Sequence, residues 1–183
     1  MDELASQMGI SKKTIYQFFR DKDEVVTMAV GYHCEREYRE FLRIESEAAN
    51  SIDELYRMSQ FMRSNVEVIH PSTLHDLQKY HPNAWKVYVD YKDKVFSQKI
   101  IDSLKRGKEE GYFRPEIDEK ILAVMRLKQI EMAFDHQTYP RGQFQFAEVC
   151  EQMFYHFIQG ILTEKGRELY DTIFNKQPYE SQK

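Results

Sequence analysis

Between Ser11 and Lys22 the chain concentrates Ser11, Lys12, Lys13, Thr14, Tyr16, Gln17, Arg20 and Lys22. Lysine donates to guanine O6 and N7, and threonine donates, accepts or touches a thymine methyl. Hydroxyl and cationic groups one turn further along reach phosphates, which hold register and supply salt-dependent affinity. Elsewhere, the residue types that perform covalent or metal chemistry are not spaced for it. His70, His75 and His81 stand five and six residues apart, so they do not project from one helix face. His33 and Cys34 are adjacent, a poor arrangement for a shared metal ion. No G-x-S-x-G, H-E-x-x-H, phosphate-binding loop or paired-glycine fingerprint occurs. We therefore expect no catalytic residue, no metal site and no cofactor, and the chain reads as a non-enzyme.

The cationic and hydroxyl side chains need a helix pair to present them. Leu4, Ala5 and Met8 share one helical face, and Gly9 supplies the backbone freedom of a tight helix exit. Ser11 can cap a second short helix from Lys12 to about Phe19, with Ile15, Phe18 and Phe19 as its apolar side. Two short helices joined by a glycine turn form a helix-turn-helix pattern, whose second helix lies in the DNA major groove with its first residues at base edges. Spacing alone leaves two readings open, a DNA-reading head and a plain structural corner.

The rest of the chain sets the frame. Its 183 residues fit one domain, or one with a small appendage. With only 7 glycines and 5 prolines it has few turn-formers, which favours long helices over many short strands. The net charge of −4 argues against a protein that coats nucleic acid through bulk charge. Residues 1–22 nevertheless carry +1 and the remainder −5, so a local basic face is compatible with an acidic whole. Two distant cysteines, no membrane-length apolar run and no secretory leader imply a soluble cytoplasmic protein.

Helical periodicity predicts a long helix from near Lys22, and a further helix before Pro71, opened by a Ser51–Glu54 capping box. It also predicts a brief helix over Thr73–Lys79 and a long one from Pro82 to Gly111. Asp118 can cap the next, through about His136. A final long helix starts near Phe144 and has a weaker continuation to Phe174. The expected fold is all-α: an N-terminal helix-turn-helix plus a helical ligand-binding and dimerisation domain. Its divisions are residues 1–24 for the DNA-binding segment, 25–174 for the regulatory and dimerisation domain, and 175–183 for a polar, disordered tail.

The run ELASQMGISKKTIYQFFRDKDEVV resembles the DNA-binding segment of TetR-family transcriptional regulators. Ala5, Gly9, Ile10, Ser11, Thr14, Ile15, Tyr16, Phe19, Lys22 and Glu24 fall at that family's spacings without a gap. The resemblance implies phosphate contacts from Tyr16 and Lys22, and base or adjacent backbone contacts from Ser11, Lys12, Lys13, Thr14 and Gln17. It implies a homodimer through the last two long helices, bound to palindromic double-stranded DNA, and a repressor released from its operator by a small-molecule effector. The family carries a further helix ahead of this segment, and the expectation is that the chain given lacks it. Leu122, Met125, Ile130, Val149, Met153, Phe157, Gly160 and Ile161 are candidates for the dimer face. Met58, Phe61, Met62, Asn65, Trp85, Tyr88, Gln129, Met132 and His136 are candidates for lining an effector pocket between the middle helices. The competing reading is a dimeric helical small-molecule-binding or scaffold protein without DNA binding.

Overall fold

The computed structural model describes residues 1–66, 72–135, 137–140 and 142–174; within these, the side chains at 59, 62–66, 72 and 174 lie outside the description. In chain order the helices are α1 (Asp2–Gln7), α2 (Lys12–Phe18), α3 (Lys22–Glu47), α4 (Ser51–Val66), α5 (Ser72–Tyr80) and α6 (Pro82–Tyr91). A π-helical segment (Lys92–Phe96) then leads into α7 (Ser97–Glu109), followed by α8 (Glu119–Ala133), α9 (Phe146–Ile161) and α10 (Glu164–Phe174). Among the described residues there is no strand, only an isolated antiparallel bridge between Phe113 and Leu162. The all-α expectation holds. No described helix is long and apolar enough to cross a membrane.

Helix α3 packs along α6, α4 packs on α7, and α8 lies against both α7 and α9. The main core gathers Ile52 of α4, Leu104 of α7, Phe113 of the α7–α8 loop and Phe157, Ile158 and Ile161 of α9. A smaller cluster joins Ala133 to Val149 and Met153. Asp118 caps α8 as expected, its Oδ1 accepting from the N–H groups of Lys120 and Ile121 at 2.9 Å each.

Three local expectations are corrected by the structure. The cap of α4 is Asn50, whose Oδ1 accepts from the N–H groups of Ile52 (3.0 Å) and Asp53 (2.9 Å). Ser51 is instead fully buried, and its N–H donates to Glu110 Oε2 at 2.7 Å. Glu54, the other half of the expected box, faces the Arg106 guanidinium at 3.3 Å. Asparagine caps at least as well as serine, so tertiary contacts were free to take the serine. Secondly, the helix expected over Pro82–Gly111 is interrupted by its π segment. The wider turn re-aims the following side chains, and Phe96 comes to stack on Phe41, with centroids 5.3 Å apart. Thirdly, the tail of the last helix is a separate α10. Thr163 breaks the run: its N–H donates to the Tyr112 carbonyl at 2.9 Å, and its Oγ1 accepts from the Gly166 N–H at 3.0 Å. A Cβ at Gly166 would collide with that Tyr112 carbonyl.

The α3–α6 interface contains a carboxyl group, Glu37. Burial pushes its pKa up, and Tyr91 and Arg36 offset only part of that effect. The unfolded chain therefore releases this proton at a lower pH than the folded one does. Stability falls as pH rises through that interval, and the penalty persists above it. Glu37→Gln is expected to raise the melting temperature at pH 7–8 and to leave it nearly unchanged near pH 4, read by thermal denaturation at fixed protein concentration. An equal shift at both pH values would mean that the ionised carboxylate is not what costs stability.

Candidate functional site

The first candidate site is the α1–α2 head. Gly9 adopts φ +64° in the turn, a left-handed conformation that a Cβ disfavours. Ser11 caps α2, its Oγ accepting from the Thr14 N–H at 3.0 Å. The two hydroxyls also meet each other at 2.8 Å. One hydroxyl hydrogen is consumed between them, which leaves the other to donate outward. Ala5 and Ile15 are buried, whereas Ser11, Lys12, Lys13, Tyr16, Gln17 and Lys22 are exposed and Thr14 is half-buried. Lys12 and Tyr16 form one i,i+4 row along α2, and Lys13 and Gln17 the row beside it. Lys12 Nζ rests on Asp2 Oδ2 at 3.0 Å, both side chains being exposed, so the pair can exchange readily for a phosphate.

Phe18 departs from its expected place. It was assigned to the apolar side of α2, yet it is 77% exposed. Ile15 and Phe19, four residues apart, define the inner face instead, and Phe18 projects off it. The next helix is tied to the head by its own cap. Asp21 Oδ1 accepts from the Glu24 N–H at 2.8 Å, and Glu24 Oε2 accepts from the Arg20 N–H at 2.6 Å. Lys22 opens α3 with its side chain in solvent.

The second candidate site is a cavity of about 140 Å³ in the helical body. Its wall is built mostly of apolar side chains: Phe41 of α3, Leu55 and Met58 of α4, Phe96, Ile100 and Leu104, and Phe146, Met153, Phe154 and Phe157 of α9. Arg126, Ile130 and Ala133 of α8 reach it at positions i, i+4 and i+7. Of the expected lining residues, Met58 is on the wall. Phe61 stands behind it, edge-on to Phe41 at 5.7 Å. Trp85 and Tyr88 pair with each other on α6 at 5.6 Å. Gln129 accepts from the Arg126 guanidinium at 3.4 Å, and Met132 is exposed. The side chains of Met62 and Asn65, and all of His136, lie outside the described residues, as does the tail over 175–183.

Sequence reasoning passed over Arg126, the residue that most distinguishes this wall. Its signal was available: a cation heading an otherwise apolar i,i+4,i+7 stripe.

Helix α3 joins the two sites. It is 26 residues long, roughly 39 Å at the usual helical rise, with Lys22 at the head and Phe41 at the cavity. Near its start Asp23 is clasped by the α5–α6 corner, through His81 Nδ1 at 3.1 Å and Asn83 Nδ2 at 2.7 Å. Helix α8 also presents an apolar stripe to solvent: Ile121, Val124, Met125 and Met132, all exposed. Four dimer-face candidates are accounted for differently: Val149, Met153, Phe157 and Ile161 are buried in the subunit's own core. Met125 and Gly160 are the candidates that remain exposed.

No family model matches the chain. A curated relative, an uncharacterized HTH-type transcriptional regulator YvaF of Bacillus subtilis strain 168, is 25% identical over 166 residues, covering 90% of this chain and 86% of the relative. Among solved structures, a TetR-family transcriptional regulator from Agrobacterium tumefaciens superposes with a TM-score of 0.72 at 13% identity, over 88% of this chain and 85% of that one. Reduced NemR of E. coli superposes with a TM-score of 0.70 at 15% identity, over 89% and 86%.

Proposed function

The fold is that of the TetR family of transcriptional regulators, and from that premise we propose that this chain is a ligand-responsive, DNA-binding transcriptional regulator acting as a repressor in the cytoplasm. The observation that carries the reading is the exposed face of α2, a capped recognition helix bearing Lys12, Lys13, Tyr16 and Gln17, with Lys22 just beyond it. Tyr16 and Lys22 hold phosphates; Ser11, Lys12, Lys13, Thr14 and Gln17 meet bases or the adjacent backbone. Residues 1–24 form the reading head and 25–174 the regulatory and dimerisation body.

Two heads must reach half-sites ~34–36 Å apart on a palindromic operator, so the working unit is a homodimer. The exposed α8 stripe, together with the open surface around Gly160 on α9, is the face we assign to it. An effector in the cavity would press on Phe41 and displace α3 as a rigid rod, moving the head at its far end. DNA and effector then oppose one another by the same factor in either order of addition. The exposed basic head and the HTH-type relative disfavour the scaffold reading.

A footprint on the DNA flanking the protein's own gene tests this. At ~50–100 mM salt, where phosphate contacts are strong, a protected palindrome is expected, and its absence would sink the proposal. Tyr16→Phe and Lys22→Ala should weaken all sequences alike, with Lys22→Ala lowering the salt slope by about 1. Lys13→Ala should cost about 1–3 kcal/mol and relax base preference at one position of each half-site.

A further inference from the structure

Among the described residues, three charged side chains stand on the cavity wall: Lys99, Glu151 and Arg126. Lys99 is committed to Glu45 at 2.6 Å, and Glu151 has a partner of its own. Arg126 is different, since no carboxylate among the described residues pairs with it. Its guanidinium makes one long hydrogen bond to Gln129 at 3.4 Å and lies over the rings of Phe154 and Phe157 at 5.4 and 5.6 Å. A guanidinium carries several N–H donors in a planar fork, and most of these find no acceptor among the described residues. Burial pushes its pKa down to about 10, so the group is still a cation at neutral pH. The side chains around it are largely aromatic and aliphatic.

Charge and size together define what fits. An unpaired cation in an apolar setting is relieved most by an anion that accepts two parallel hydrogen bonds, the geometry of arginine with carboxylate. The volume, about 140 Å³, is close to that of apolar cavities of roughly 150 Å³ that hold one benzene-sized ring. We propose that the cavity binds a small monocarboxylate, with the carboxylate on the Arg126 fork and one ring or a short alkyl chain among Phe41, Phe96, Met153 and Phe157. This rests on the effector half of the proposed function and not on its DNA half. Arg126 is the specificity-determining residue, and the apolar wall sets only the size of the body.

Calorimetric titration of the full chain, without DNA, tests the assignment with benzoate and hexanoate against their neutral isosteres benzamide and hexanamide. At least one acid is expected to bind saturably, and at least tenfold more tightly than its amide. Arg126→Met should abolish the preference for acid over amide, and Arg126→Lys should retain part of it. The acid–amide comparison in the unaltered protein needs no variant, so it decides the matter even if Arg126→Met does not fold. Equal binding of acid and amide, no binding of either acid at millimolar concentration, or full acid affinity in a folded Arg126→Met would each overturn the assignment. Acid binding that leaves the footprint unchanged would support this site and count against the effector coupling instead.

Discussion

Ile121→Asp combined with Val124→Asp is expected to convert the protein to a monomer in sedimentation and to lower operator affinity by roughly 10²-fold or more, the loss of one of two linked contacts. These side chains are 67% and 57% exposed, although each is a large aliphatic on a helix whose inner face is already supplied by Ala123, Leu127 and Ala133. A stripe of this kind, continued by Met125 and Met132, exceeds the scattered exposed apolar residues of an ordinary surface. Covering it with a second copy removes it from water, and two carboxylates placed within that contact must be desolvated without partners. Leu42→Asp, a similar change on an exposed part of α3, should leave the assembly unchanged. A double variant that still sediments as a dimer would place the subunit contact elsewhere.

Phe41→Ala is expected to lower stability by about 3–5 kcal/mol, a fall in melting temperature on the order of 10 °C for a chain of this size. Phe41 is 1% exposed. It stacks on Phe96 with an interplanar angle of 24° and meets Phe61 edge-on at 81°. Truncation removes both ring contacts and enlarges a cavity that is already present, so little collapse can compensate. Phe41→Leu should lose much less, because most of the volume stays filled. The same truncation should loosen the hold of the cavity on α3: DNA binding would persist while the effector's influence on it declines. A melting temperature within a few degrees of the parent would mean that Phe41 is not central to this packing.

Both helices of the head were legible, with Phe18 the residue misplaced. Gly9, Ser11 and Ile15 each act within a few positions of where they stand, through backbone conformation, a cap or an i,i+4 contact, and local rules suffice for such effects. Helix existence elsewhere was legible for the same reason, because burial of one face repeats at the helical period. Local rules failed where a distant segment competed. Asn50 displaced Ser51 as a cap because Glu110, far along the chain, took the Ser51 N–H. The π turn after Tyr91 brings Phe96 onto Phe41, a contact with no periodic signature.

The candidate pocket shows the division most clearly. Periodicity marks which residues of a helix are apolar, but it does not state which apolar side faces the subunit's own core, a cavity or a second subunit. Met58 was identified from its stripe. Met132 looked equivalent and faces solvent, while Val149, Met153, Phe157 and Ile161 looked like an interface and are buried at home. The amino-acid sequence by itself determined an all-α chain whose second helix is capped and basic, because those properties follow from neighbours a turn apart. Only the tertiary structure decided which faces of α8 and α9 close the core, which stripe stays open, and that Arg126 stands by Phe154 and Phe157 with no carboxylate partner among the described residues. Those outcomes depend on the relative rotation of helices distant in the chain, which no local pattern encodes.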